Sequence, residues 1–144
     1  MAETVNLHVL GGNKVARDLC ELVERLFLQG RSVVVWVADP ERARILDGYL
    51  WTFSQNSFVP HTMWSGGESP EDPVVIVFGT PAYPQGAAVL VLAEPLPDTA
   101  AAASFSEIHE VCGGACQEER AVFWRAAGYE VTVLRAGGAT PVRL

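Results

Sequence analysis

Two cysteines separated by three residues are the first candidates for chemistry in this chain of 144 residues. Cys112 and Cys116 form a C-x-x-x-C spacing, and the third thiol, Cys20, lies far from them in sequence. Two thiols can supply part of a metal site, with His109 as a nearby third ligand, or they can act as a redox pair. The small residues between them also fit a plain turn from a strand into a helix, which is the simpler interpretation.

A glycine-rich turn after the first β-rich segment is the second candidate. The residues Gly11, Gly12 and Lys14 stand where a phosphate-binding loop would stand. A dinucleotide site needs G-x-G-x-x-G, and a phosphate loop needs G-x-x-x-x-G-K-[ST], because the backbone must approach the phosphates closely. Neither pattern is present in the sequence, so an ordinary turn is the simpler interpretation.

The three histidines do not belong to a recognisable catalytic set. The sequence contains no G-x-S-x-G, no H-E-x-x-H and no paired-carboxylate motif around His8, His61 or His109. We therefore predict hydrogen-bonded structural roles for them, and no catalytic residues, metal or cofactor. A small nucleotide-dependent or redox enzyme is the alternative, resting on the glycine turn and the cysteine pair.

Aromatic side chains are concentrated in one region, which holds Tyr49, Trp51, Phe53, Phe58 and Trp64. They either belong to the core or line a groove for a partner. Protein interfaces are enriched in aromatic residues and arginine, with the binding energy concentrated in a few of them. Aromatic residues on a broken strand, without a catalytic set, favour a binding protein over an enzyme.

The elements that must position these residues alternate between strands and helices. Asp39, Pro40 and Glu41 provide an N-cap, a first-turn proline and a first-turn acid for the second helix, whose inward face we assign to Ala43, Leu46, Tyr49 and Leu50. Pro60 restricts the segment 58–64 to an edge strand. The predicted strands are 4–10, 32–37, 58–64, 74–78, 87–93, 105–111 and 129–134, and the predicted helices are 13–29, 39–51, 98–103 and 117–127. This order predicts an α/β fold with a mostly parallel sheet covered by helices on both faces.

Composition limits the kinds of protein this chain can be. Hydrophobic residues make up 49% and charged residues 19%, which is typical of a globular domain. The formal net charge is −7, and one Lys and nine Arg are scattered without a basic run, so direct nucleic-acid binding is not expected. No apolar run is long enough for a membrane span and no signal peptide is visible, so we expect a cytoplasmic protein. We predict one domain over 1–135 and a flexible tail over 136–144.

Three short motifs resemble the DNA polymerase III chi subunit family of bacteria. The most specific is L-D-x-x-L-W at 46–51 followed by S-F-V-P-H at 57–61. F-S-E-I-H-E at 105–110 and W-R-A-A-G-Y at 124–129 resemble two further family patterns. With the length and the order of elements, the resemblance covers nearly the whole chain.

The resemblance implies a three-layer α/β/α, mononucleotide-binding-like (Rossmann-like) fold without a nucleotide site. It also implies a clamp-loader accessory protein with two partners: the psi subunit and the acidic C-terminal tail of single-stranded DNA-binding protein (SSB). For the psi-like contact or pocket, we expect Trp51, Phe58, Val59, Pro60 and His61.

For the SSB tail, we expect Arg120, Phe123, Trp124 and Arg125, since arginine suits a carboxylate. The sequence departs from the family pattern in this helix. Where the best-known members present an Arg, a Tyr and a Lys to the tail, this chain has Glu118, Ala121 and Val122.

Overall fold

A computed structural model describes residues 3–10, 15–53, 58–64, 66–67, 70–79, 88–113, 116–135 and 142–143. The strands are β1 (Thr4–Val9), β2 (Val33–Val37), β3 (His61–Trp64), β4 (Val74–Phe78), β5 (Val89–Leu92), β6 (Glu107–Cys112), β7 (Glu130–Arg135) and β8 (Val142–Arg143). The helices are α1 (Val15–Leu28), α2 (Pro40–Thr52), a 3-10 helix (Thr99–Ser104) and α3 (Gln117–Ala126). The predicted strands and helices are confirmed, with small shifts at their ends.

The strands form a single sheet in the order β3-β4-β2-β5-β6-β1-β7-β8. The first seven are parallel, and β8 pairs antiparallel with β7. Every residue of β2 is buried, as expected for a central parallel strand covered on both faces. The predicted edge position of β3 is also confirmed, because β3 stands at the end of the sheet order and, among the described strands, pairs only with β4.

Helices cover both faces of the sheet, which confirms the three-layer α/β/α architecture. On one face, α1 and α2 pack against alternate residues of β2, β4 and β5, such as Val35 and Ile76. On the other face, α3 and the 3-10 helix cover the intervening residues, among them Leu7, Trp36 and Ile108. The two faces form separate apolar clusters because the side chains of a strand alternate between them.

The second helix begins as its sequence predicts. The Asp39 side chain accepts a hydrogen bond from the backbone N–H of Arg42 at 2.9 Å, and Pro40 occupies the first turn. The buried stripe comprises Ala43, Leu46 and Leu50. The inward assignment of Tyr49 is wrong, since that side chain is 38% exposed. It lies roughly a quarter turn away from the buried stripe, at 3.6 residues per turn.

Two of the predicted features fall wholly or partly outside the described residues. Gly11, Gly12 and Lys14 belong to the segment 11–14, so the predicted glycine turn is wholly outside. Most of the predicted tail, 136–141 and 144, is likewise outside, while Val142–Arg143 form β8. No helix in the described part of the chain combines the length and the hydropathy that a bilayer crossing requires.

Candidate functional site

The end of α2 and the segment leading into β3 bring two aromatic side chains together at the surface. Trp51 lies in the last turn of α2 and is 49% exposed, and Phe58 precedes β3 and is 66% exposed. Their ring centroids are 5.7 Å apart, with the planes tilted by 40°. This separation is within the range at which aromatic pairs attract each other, so the rings form one continuous surface.

A buried histidine contacts the Trp51 ring of this pair. The His61 ring centroid is 4.4 Å from that of Trp51. Its Nδ1 is 2.7 Å from the backbone oxygen of Val59, and its Nε2 is 3.1 Å from the backbone oxygen and 3.2 Å from a carboxylate oxygen of Asp47. Both ring nitrogens therefore face acceptors.

Of the five residues predicted for the psi-like contact or pocket, some are exposed and others are buried. Trp51 and Phe58 are exposed and Pro60 is half-buried, whereas Val59 and His61 are buried. Val59 belongs to the core cluster beneath α2. The segment thus uses its inward residues to fix the position of its outward ones.

Met63 was missed by the sequence reasoning. It lies two residues after His61 in β3, so its side chain is on the same face of the sheet, and it is 38% exposed. The period of two along the strand is the signal that would have found it. We call Trp51 and Phe58 the aromatic surface. Exposed large apolar side chains around a supported ring are suited to binding a protein.

The second predicted set lies on α3, on the opposite face of the sheet. Arg120 is only 8% exposed and donates two hydrogen bonds to the buried Glu110 carboxylate, at 2.8 and 2.9 Å. It also donates to the backbone oxygen of Leu96 at 3.4 Å, and its guanidinium lies 4.1 Å from the Phe123 ring centroid. Burial alone would lower the pKa of Arg120, but the hydrogen bonds and charge of Glu110 raise it. This arginine is thus a paired interior cation.

The other residues predicted for the contact on α3 differ in their exposure. Trp124 is fully buried, and its ring makes edge-on contacts with Phe123 and Tyr129, at 5.4 and 5.2 Å between centroids. Phe123 is half-buried and Arg125 is exposed. Of the four predicted residues, only Phe123 and Arg125 are therefore accessible to solvent. Glu110 was not predicted, although a carboxylate on an otherwise apolar strand is a signal that it needs a partner.

The other two histidines have the hydrogen-bonded roles predicted for them. His8 Nε2 is 2.8 Å from His109 Nδ1, and His109 Nε2 is 2.6 Å from a carboxylate oxygen of Glu107. Glu107 also accepts from Arg31 at 3.0 Å. Since His109 must donate to the carboxylate, its Nδ1 accepts from His8 when both rings are neutral. Burial lowers the pKa of both histidines, and that of His8 falls to about 3.

A metal centre finds no support in the side chains that are described. Within that part of the chain, no three His, Cys, Asp or Glu side chains are grouped so that they could hold an ion. Cys112 is the last residue of β6 and Cys116 is the N-cap residue of α3, and residues 114–115 of the predicted turn lie outside the described residues.

Comparisons with known proteins place the chain by sequence and by fold. The family model described as "DNA polymerase III chi subunit, HolC" matches residues 2–132. The DNA polymerase III subunit chi of Pseudomonas aeruginosa is 37% identical over 62 residues, a match that spans 43% of this chain and 42% of that protein. The C-terminal domain of S. cerevisiae Dbp5, in a structure bound to Gle1 and IP6, superposes with a TM-score of 0.63. That superposition covers 96% of this chain and 92% of the domain at 13% identity, so it concerns the fold alone.

Proposed function

This chain belongs to the DNA polymerase III chi subunit family, and from that premise we propose that it is a non-catalytic adaptor of the replisome. In this proposal the protein is cytoplasmic and links the clamp loader, through a psi-like subunit, to SSB on single-stranded DNA. It acts through protein contacts alone, without cofactor or metal. Its formal net charge of −7 discourages direct contact with the phosphate backbone.

The observation that carries the proposal is the exposure of Trp51 and Phe58 above a buried, hydrogen-bonded His61. Burying apolar surface is favourable by about 25 cal/mol for each Å² removed from water. The exposed rings do not gain this free energy in the isolated protein. A partner that covers them recovers this free energy, and the fixed ring positions reduce the entropy lost on binding. We assign the psi-like partner to the aromatic surface.

The SSB contact is proposed for α3 on the opposite face of the sheet. Arg125 is the exposed cation there, and Phe123 offers a half-buried ring two residues before it. An acidic tail ending in an apolar residue and a carboxylate would use both. Because Glu118, Ala121 and Val122 supply no further cation, we expect this contact to be weak and strongly salt-dependent.

The psi-like contact is tested with purified clamp loader from the same organism, containing psi where the genome encodes it. The full chain and its Trp51→Ala and Phe58→Ala variants are titrated and complex formation is followed by analytical ultracentrifugation. We expect each variant to weaken binding by at least about tenfold, as for a buried aromatic at an interface centre. Leu28→Ala, at an exposed position on α1, is the matched control and should bind like the parent chain. Equal binding by all four proteins would refute the assignment.

The SSB contact is tested separately with a synthetic peptide that copies the C-terminal tail of SSB. We expect weak binding at low salt that declines as salt is added, and a further loss in Arg125→Ala. A scrambled peptide of the same composition controls for charge alone. The absence of binding at low salt would remove the SSB half of the proposal and leave the psi half intact.

The enzyme alternative predicts a different result in a thermal-shift experiment. A ligand that binds only the folded state raises the unfolding temperature. The adaptor proposal expects no shift with ATP, NAD or zinc. A clear shift with any of them would favour the nucleotide-dependent or redox enzyme.

A further inference from the structure

A surface groove of about 530 Å³ lies between the 3-10 helix and the turn that joins α3 to β7. Its walls come from the 3-10 helix, from that turn, and from the first residues of β7 and the residue before β1. The described residues that line it include none of those proposed above for the psi-like or the SSB contact. The groove is therefore a third surface, to which the proposed function gives no role.

Small residues leave the space open. Ala100 and Ala103 of the 3-10 helix line the groove, as do Ala127 and Gly128 of the turn, and none of the four has a side chain longer than a methyl group. Gly128 has a φ of +98°, a conformation that favours glycine and lets the chain leave α3 and enter β7. The groove thus offers methyl groups, rather than polar side chains, along much of its length.

Two carboxylates flank this apolar part. Glu3 and Glu130 both line the groove and are exposed. Their backbones are adjacent, because the Glu130 N–H donates to the Glu3 oxygen at 2.9 Å. No Lys or Arg is found among the described residues that line the groove. Two negative charges side by side in a concave surface attract a cation from solution.

An aromatic residue completes the lining. Tyr129 is half-buried, and its ring makes an edge-on contact with the fully buried Trp124 ring at 5.2 Å between centroids. Its backbone N–H also donates to the Trp124 oxygen at 3.1 Å. The tyrosine is therefore held in place by the core before any ligand arrives, and an aromatic ring adds attraction for a cation.

We propose that this groove binds a lysine or arginine side chain presented by a segment of a protein partner. Such a side chain has an apolar stem and a cationic end, which match the alanine lining and the two carboxylates. A purely apolar side chain would remove the carboxylates from water without pairing them, and an acidic segment would be repelled. The inference is independent of the adaptor proposal, since it uses neither the aromatic surface nor Arg125.

The test is an NMR titration of the full ¹⁵N-labelled chain with the peptide acetyl-Ala-Lys-Ala-amide at low salt. We expect saturable shifts at the backbone amides of Ala103, Gly128 and Tyr129, and weaker binding as salt is added. The control peptide has norleucine in place of lysine, which keeps the stem and removes the charge. It should bind about threefold more weakly, as expected for a solvent-exposed ion pair.

Variants of the chain locate the charge that the peptide recognises. Glu3→Gln combined with Glu130→Gln should abolish the difference between the two peptides. Glu118→Gln combined with Glu119→Gln removes the same charge from exposed positions on α3 outside the groove, and should preserve that difference. Ala100→Leu should weaken both peptides, because it fills the groove without changing its charge.

The parent chain alone can refute the proposal, so the test does not depend on the folding of any variant. Lysine and norleucine peptides that bind equally, or a lysine peptide that causes no saturable shift at the groove, would overturn it. An equal loss of lysine binding in the α3 double variant would also overturn it, by showing that only the net charge of the protein matters.

Discussion

The Trp51 indole rests on the His61 imidazole with 4.4 Å between ring centroids, and the imidazole is itself fixed through both of its nitrogens. The buried His61 ring thus fixes the position of the exposed Trp51 ring. The oxygens that hold His61 belong to Val59, just before β3, and to Asp47 in α2. The aromatic surface is therefore tied to the packing of that helix on the edge strand.

Replacing His61 should weaken both the fold and the binding of a clamp-loader partner. In His61→Ala, the hydrogen bonding between the imidazole and the oxygens of Val59 and Asp47 is lost, which costs about 1–3 kcal/mol of unfolding free energy. Trp51 also loses the ring beneath it, so partner binding should fall although no contact residue has changed. Urea denaturation and the clamp-loader titration measure the two effects. Thr62→Ala, the next residue along β3, is the control, and an equal loss there would contradict the supporting role of His61.

Phe58 and Val59 are neighbours for which we expect opposite effects. Phe58→Ala removes a side chain that is mostly in water, so unfolding free energy should change by about 1 kcal/mol or less. Val59→Ala opens a cavity under α2 and should cost about 2–3 kcal/mol. Partner binding should instead weaken more in Phe58→Ala than in Val59→Ala. A larger stability loss for Phe58→Ala than for Val59→Ala would mean that the exposed ring is part of the core.

On α3, two arginines five residues apart should respond differently to alanine. Arg120→Ala leaves the buried Glu110 carboxylate unpaired and should destabilise the fold by about 3–5 kcal/mol. Arg125→Ala, at an exposed position, should change stability by about 0.5 kcal/mol or less. Urea denaturation of both variants decides the matter. A loss of unfolding free energy in Arg120→Ala as small as the one expected for Arg125→Ala would show that the Glu110–Arg120 pair contributes little.

Much of the fold follows from local patterns in the sequence. The uniformly apolar segment 33–37 predicted a central parallel strand, and Asp39-Pro40 predicted the start of α2, because capping depends on adjacent residues. Pro60 predicted an edge strand for the same kind of reason. These features are set within a few positions of the chain and can be identified without tertiary information.

The candidate site could be predicted only in part, because exposure depends on distant packing. The density of aromatic residues indicated the region of Trp51 and Phe58, but the burial of His61 requires α2 and β3 to meet. Arg120 looked like a surface cation because its partner Glu110 lies on another element, ten residues away. A pairing between a strand and a helix has no fixed spacing in the sequence.

Acid should destabilise the protein through the histidine pair. The folded-state pKa of His8 is lowered to about 3, mainly by burial and then by His109 and Arg25, and that of His109 is also lowered, mainly by burial. Unfolded histidine takes up its proton near pH 6.5, so between pH 6.5 and about 3 the unfolded state binds more protons. Stability from His8 is therefore complete above pH 6.5 and is lost as the pH falls towards 3. Glu107, whose pKa is lowered despite its burial because of hydrogen bonds from His109 and Arg31, acts in the same direction at lower pH.

The slope of unfolding free energy against pH measures this effect. Each neutral buried histidine contributes at most about 1.4 kcal/mol per pH unit. We expect the parent chain to lose stability steadily from pH 6.5 to pH 5, and His8→Asn to reduce the slope by about that amount. Thr62→Ala, which removes no titratable group, should keep the steep slope arising from His8 and His109. A parent chain with constant stability over this range would show that His8 is protonated in the folded state.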